Sequence, residues 1–464
     1  MITIRGLGRW ICLAIIAADV AWSAGPPPDV APIQAPFAMP QLQRPVFPDR
    51  TIDIRDHGAV GDGRRLNTRA IARAILACSE AGGGRVLVPE GVWLSGAIHL
   101  QSNIELHLSA GAVLRFSTDP GDYLPPVFTR WAGFECWNYS PLIYARDCAN
   151  IAITGTGKLD GQGNPWWAWS RQGQQAAMVR LMEMGRSGTP VEERVFGTSQ
   201  GSMRPQFISP INCKDVLIEG ISLNGGPFWT IQCIYCENVV IRNVTIDSFQ
   251  NGPGPNNDGI NLDSCLNALI EYCTFNTGDD CLALKSGLNE DGWRVGRPTE
   301  NVVIRHCTME RGHGGVVIGS EMSGGVRNVY AHDCMMHGTD RGLRIKSTRG
   351  RGGVVEDIWY ENIQMRNIAG EAITFNAFYS SWGAGGATDR PPLVRNIHIK
   401  DVTCEHAAVA IELTALPDRP FENITLENVS INSQRGMQAT DVRKLLLRNC
   451  RINGTPLDKG GWGG

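Results

Sequence analysis

Asn238–Ser248 reads NVVIRNVTIDS, and Asn301–Arg311 reads NVVIRHCTMER, a near copy further along the chain. Apolar side chains fall on alternate positions in both, in short β-branched runs, and period two is the mark of a strand and not of a helix. Eight further segments fit the template: NIAITGTGKLDG from Asn150, DVLIEGISLNG from Asp215, NALIEYCTFNTG from Asn267, NVYAHDCMMHG from Asn328, DIWYENIQMRN from Asp357, NIHIKDVTCEH from Asn396, NITLENVSINS from Asn423 and KLLLRNCRING from Lys444. From Asp215 onward the copies start 21 to 39 residues apart, a period that marks a solenoid or a propeller. A propeller blade needs four strands in about 40 residues, whereas each unit here holds two or three short ones. The pattern predicts an all-β right-handed parallel β-helix, in which turns of about 25 residues stack and point apolar side chains into one core. Asn238, Asn267, Asn301, Asn328, Asn396 and Asn423 open their units. Stacked turns can hydrogen-bond such amides as a ladder, though Asn is also an ordinary turn residue.

The 464 residues are 42% hydrophobic and 19% charged, which supplies a large core and excludes disorder for most of the chain. Gly, at 54 residues, exceeds its usual share of about 7%, as a chain with many tight turns requires. Length alone would give about three domains at roughly 150 residues each, a prior that an elongated repeat overturns. With 43 basic and 46 acidic residues the net charge is −3, so no global field favours nucleic acid or an anionic membrane. An acidic ligand would need local cations.

At the N-terminus, Arg5 and Arg9 precede a mostly apolar stretch, Trp10 to Val20, and the small residues Ala21, Ser23 and Ala24. This reads as a signal peptide over residues 1–24, for a secreted or periplasmic protein; the apolar run is shorter than the roughly 20 residues a membrane span needs. Residues 25–49, with Pro26, Pro27, Pro28, Pro32, Pro36 and Pro40, read as a linker. Residues 50–464 then form a single domain, expected to be a monomer, with no later segment able to span a bilayer. A solenoid needs capped ends. Thr68–Ala81 places Ile71, Ile75 and Cys78 on one helical face, with Thr68 as N-cap and Gly82 to Gly84 as the stop. Trp166–Gln206 and Tyr379–Pro392 interrupt the repeat and are expected as loops over one face. Of fourteen cysteines, removal of Cys12 leaves thirteen. Cys273, Cys307, Cys334 and Cys450 occupy strand positions that Val or Ile could fill, so reduced core filling is expected, with at most a few disulfides. Cys233 and Cys236 form a lone CxxC with no second pair to complete a metal site, and no cofactor is implied.

Four short motifs carry chemistry: Asn256-Asn257-Asp258-Gly259, Gly278-Asp279-Asp280, Gly312-His313-Gly314 and Arg344-Ile345-Lys346. Singly, each is what a solvated turn or exposed strand face would show. Each lies one coil beyond the last, so stacking at about 4.8 Å would align them over about 14 Å.

In these motifs the chain resembles the polygalacturonases of glycoside hydrolase family 28, whose motifs are Asn-Thr-Asp, Gly-Asp-Asp, Gly-His-Gly and Arg-Ile-Lys in that order. The resemblance covers about residues 50–455. It includes DHGAVGDG from Asp56, GGGRVLVPEGVWLSGAIHL from Gly82, GDDCLALKSG from Gly278 and GHGGVVIGSEMSGG from Gly312, and the longer runs are similar to a bacterial branch with many exo-acting members. Asn257 stands in place of the family's Thr, and Asn261 where Asp is common. The resemblance implies hydrolysis of α-1,4 galacturonosyl linkages in pectin with inversion. Asp279 would be the general acid, Asp258 and Asp280 would activate water, and His313 would assist the acid. Inversion needs carboxyls roughly 6.5–9.5 Å apart, and a cluster of three raises one pKa. Adjacent strand residues face opposite ways, so Asp279 and Asp280 both reach the cleft only if the backbone bends, for which Gly278 is the natural place. Asn256, Arg344, Lys346 and Tyr379 would bind substrate, with Phe378 an alternative to Tyr379. Lys285 and Glu321 read more readily as structural partners of the cleft wall. Galacturonate cleavage from rhamnogalacturonan or xylogalacturonan, a Ca²⁺-dependent pectate lyase and a non-catalytic carbohydrate-binding β-helix are the alternatives. Exo action would need one end of the cleft walled, and Trp166, Trp167 and Trp169 in the long insert are candidates for that wall.

Overall fold

Three parallel ladders run through the molecule, their strands pairing with counterparts one coil away. In the first, Ile143, Ile208, Ile231, Ile260, Leu282, Val316 and Leu343 stack as one column. In the second, Ile151, Val216, Val239, Ala268 and Val302 do so, and in the third, Leu159, Leu223, Ile246 and Phe275. All are buried in one continuous core, so the alternation seen in sequence becomes three inward columns, each full side chain contributing about 1.5–3 kcal/mol by burial. The chain is a right-handed parallel β-helix. The computed structural model describes residues 27, 29–198, 202–249, 252–380 and 388–457; the expected signal peptide lies outside the described residues.

Both readings of the recurrent Asn hold together. Asn238, Asn267, Asn301 and Asn328 take φ of 57°, 57°, 58° and 54°, a left-handed conformation that Asn tolerates better than other side-chain-bearing residues. Their amides also form a ladder. Asn267 Nδ2 donates to Asn238 Oδ1 (3.2 Å), Asn301 to Asn267 (3.0 Å) and Asn328 to Asn301 (3.0 Å).

All thirteen cysteines among the described residues are unpaired, and all but Cys148 are buried. Cys273, Cys307 and Cys334 occupy neighbouring coils in the core beside Val and Ile neighbours, as filling residues should. The capping helix spans Thr68–Glu80 and buries Ile71, Ile75 and Cys78 together with Ala70 and Ala74. Thr68, however, is its first residue and not its N-cap. Asn67 precedes it, with an amide committed to Val60, Arg65 and Leu94, while Thr68 Oγ1 accepts from Gly96 N at 2.7 Å.

The Pro-rich segment read as a linker is, over its described part, a strap on the β-helix. Ile33 and Leu42 bury against Ala152, Leu217, Val240, Leu269 and Val303 on the outside of the second ladder. Arg242 donates to Pro27 O (2.7 Å) and Arg305 to Ala31 O (2.9 Å) and Pro32 O (3.1 Å). Proline suits this role because it keeps the strap extended and brings no N–H that would need a partner.

The insert expected as loops contains a helix, Gln174–Arg186. It packs on an antiparallel hairpin, Val127–Trp131 and Phe134–Asn138, forming a second apolar cluster with Phe196, Met203, Phe228, Trp229 and Leu288. Two fully buried ion pairs fasten this layer to the coils: Arg130 to Asp263 at 2.9 Å and Arg194 to Asp291 at 2.7 Å.

Candidate active site

The four motifs come together on the outer face of the first ladder, because each lies in or just before one of its strands. Asp258 precedes Ile260–Asp263, Asp279 and Asp280 precede Leu282–Lys285, His313 precedes Val316–Gly319, and Arg344 and Lys346 lie within Leu343–Lys346. The adjacent aspartates are both brought to the cleft because they occupy a bend and not a strand. Its geometry depends on Gly278, where a Cβ would lie 2.2 Å from Gly254 O; only glycine permits that approach of two backbones. Backbone bonds tie the coils there, Gly259 N to Asp280 O (2.9 Å) and His313 N to Asp279 O (2.9 Å).

The three carboxylates sit among cations. Lys346 Nζ is 2.5 Å from Asp280 Oδ2 and Arg344 Nη1 is 3.6 Å from Asp280 Oδ1. Lys285 Nζ lies 3.3 Å from Asp258 Oδ2 and 3.0 Å from Glu321 Oε2. His313 Nδ1 lies 3.1 Å from Asp279 Oδ1. Asn256 Nδ2 reaches Asp279 Oδ2 at 3.5 Å, and Arg204, from the insert, donates to Asn256 Oδ1 at 2.8 Å. The Tyr379 ring lies 5.4 Å from both Arg344 Cζ and Lys346 Nζ. Phe378 is 53% exposed, so the tyrosine and not its neighbour belongs to the cluster.

Burial pushes the Asp258 pKa well up, against the pull of Lys285 and with the help of the like charges on Asp279 and Asp280. Asp279 is also pushed up by burial, but the His313 hydrogen bond and the Lys346 and Lys285 charges outweigh this and hold it below the usual carboxylate range. His313 is raised in return, chiefly by Asp279. Both shifts favour an anionic carboxylate beside a protonated imidazole. Burial lowers Arg204 to about 9.

On the N-terminal side the floor of the cleft is covered. Ser209, Gln232 and Asn261 form the outward column leading to Ala283, and all three are 0% exposed. The hairpin lies over them. Arg130 O accepts from Gln206 Nε2 (3.4 Å) and Gln232 Nε2 (3.2 Å), while its guanidinium reaches Asp263 and Ser264. Two departures noted in the motifs acquire structural meaning here. Asn257 points away from the cleft and donates to Gly226 O (2.9 Å) and Phe228 O (2.8 Å), whereas both amide atoms of buried Asn261 lack a partner. The insert's tryptophans do not form the cover. Trp166 is 1% exposed in the main core, Trp169 packs on it at 4.9 Å, and Trp167 Nε1 donates to Gly226 O (2.9 Å).

Every residue singled out for chemistry in the sequence thus lies at one place. Motif reading missed Arg204, an isolated arginine in an insert of mixed composition, and the hairpin. The one local signal for the hairpin was Ala132-Gly133 between two aromatic-rich runs; both take positive φ, 47° and 89°, as a two-residue hairpin turn requires.

Residues 192–448 match the model of the glycosyl hydrolases family 28. A probable polygalacturonase of Vitis vinifera is 33% identical over 392 residues, 81% of this chain and 73% of that protein. The exo-poly-alpha-D-galacturonosidase of Dickeya chrysanthemi is 26% identical over 88% of this chain and 72% of its own. Among solved structures, a hyperthermoactive exopolygalacturonase of Thermotoga maritima is 40% identical and superposes with a TM-score of 0.85, covering 89% of this chain and 94% of the other.

Proposed function

The chain belongs to glycosyl hydrolases family 28, and from that premise we propose that it hydrolyses polygalacturonate from one chain end, with Asp279 as general acid and Asp258 and Asp280 as the water-activating carboxylates. It is a pectin-degrading glycoside hydrolase acting on galacturonan. The observation that carries the assignment of roles is the set of separate cation partners. His313 serves Asp279, Lys285 serves Asp258, and Lys346 with Arg344 serves Asp280.

An inverting reaction places the glycosidic oxygen against an acid and a water against a base on the opposite face of the sugar. Asp279, less buried than Asp258 and Asp280, is the one able to meet a leaving oxygen. It draws on the proton it shares with His313, so protonating that oxygen leaves a neutral imidazole beside a carboxylate. Asp258 and Asp280 orient the water and take its proton. Arg344 and Lys346, each with its cationic centre 5.4 Å from the Tyr379 ring centroid, hold a galacturonate carboxylate in this reading, which an arginine can grip through two N–H groups.

Support for exo action comes from the covered floor. A polymer crossing the cleft would have to lie over Ser209, Gln232 and Asn261, which the hairpin already occupies. Accordingly, the first soluble product from polygalacturonate is expected to be galacturonic acid alone, followed by chromatography at low conversion; a spread of early oligomers would sink the exo reading. Secretion, the 1–24 signal, the single domain over 50–464 and the monomeric state complete the proposal. N-terminal sequencing of secreted material and sedimentation would test them.

A further inference from the structure

Lys285 is 2% exposed, and its ammonium is enclosed by three groups: the Asp258 carboxylate at 3.3 Å, the Glu321 carboxylate at 3.0 Å and the face of Trp229 with its centroid 4.0 Å away. None of the four reading motifs contains it. A buried ammonium keeps its charge only where the surroundings compensate for lost water, and here the two carboxylates and the aromatic face do so; the amine is held strongly in its charged form, with Glu321 and Asp258 the largest opposing influences to burial. Asp258 meanwhile faces Lys285, Asp279, Asp280 and Lys346, with Glu321 and Asp263 bearing on Lys285 from behind. Burial first, and then the two anionic neighbours, favour a neutral acid at Asp258, yet the proposed reaction needs it as an anion when water is deprotonated.

We infer that Lys285 is a positioning residue of the reaction, countering burial and the neighbouring anions so that Asp258 can ionise and take the water's proton, while Glu321 anchors the ammonium and divides its charge. The inference deepens the proposed function and rests on it. It has a signature that a merely structural lysine lacks, because its two partners act with opposite sign. Removing the Lys285 charge disfavours the Asp258 anion. Removing the Glu321 charge leaves the whole of the ammonium to Asp258 and favours it.

The experiment is the pH dependence of kcat/KM on polygalacturonate for the full chain, whose acid limb reports the base of the free enzyme. Lys285→Met is expected to move that limb to higher pH by about one to three units, the range for losing an opposite charge within about 4–6 Å. Lys285→Arg should return it toward the wild-type position, and Glu321→Gln should move it to lower pH. An unmoved limb in folded Lys285→Met, or an upward shift in Glu321→Gln, would overturn the inference. If Lys285→Met does not fold, as judged by circular dichroism, the sign of the Glu321→Gln shift decides alone. Near-normal turnover in Asp258→Asn would instead remove the underlying assignment, whereas an inactive Asp258→Asn beside an unmoved Lys285→Met limb removes only the role of Lys285.

Discussion

Asp279 and Asp280 differ by one position and end in different surroundings: one is partly exposed beside an imidazole, the other wholly buried between an arginine and a lysine. Asp279→Asn and Asp258→Asn are each expected to lower turnover by about 10² or more, the usual size of a lost acid or base contribution, measured as reducing ends released per enzyme; near-normal rates would overturn the assignment. The His313 pKa is raised by its pairing with Asp279. That pair therefore stabilises the fold fully below the ordinary histidine value of about 6.5, and the contribution disappears as pH rises through the raised value. Under the proposed roles the same proton is delivered to the leaving oxygen. In His313→Gln it must reside on Asp279 alone, so the alkaline limb of kcat/KM should move to lower pH; a limb left in place would show that the imidazole only packs there. The motif residues were legible because their types and order are local. Arg204 was not, since nothing near it in sequence records that its guanidinium reaches Asn256.

At the scale of elements, the coil repeat was readable because a strand with one buried face must alternate, and ten segments did so in the same way. The asparagine ladder follows from two requirements met by one residue type, a positive φ and an amide that bonds in both directions along the stack. Asn301→Ala is expected to cost about 1–2 kcal/mol from the left-handed conformation alone, with Asn301→Gly costing less despite losing the same amide. Melting temperatures of the two variants check this; equal losses would mean that the hydrogen bonds to Asn267 and Asn328, and not the backbone, set the residue. The Pro-rich strap and the hairpin were illegible as elements for opposite reasons. The strap has no periodicity because its partners are the outer faces of other coils, distant in sequence. The hairpin turns on Ala132-Gly133 and lacks the usual Asn-Gly signal.

For the molecule as a whole, net charge near zero left an acidic polymer without an obvious landing site, and the fold resolves this by concentrating Arg344 and Lys346 beside buried carboxylates in one cleft. Each of those carboxylates already has a protein cation or imidazole against it, so the donor set is not the open cluster of oxygens that Ca²⁺ takes. Activity should be unchanged by a chelator, and no unsaturated, ultraviolet-absorbing product should accumulate; loss of activity that Ca²⁺ restores would point to lyase chemistry instead. What the sequence determined by itself was the β-helix, its capping helix, the reduced cysteine core and the residues that gather at the candidate site, because period, propensity and motif spacing are properties of neighbouring residues. Only the tertiary structure decided that Lys285 and Glu321 stand behind Asp258, that the hairpin and not the tryptophans of the insert covers the cleft floor, and that residues 29–49 are a strap. Those outcomes depend on side chains such as Arg130 and Asp263, more than a hundred residues apart, whose burial is favourable only when they meet.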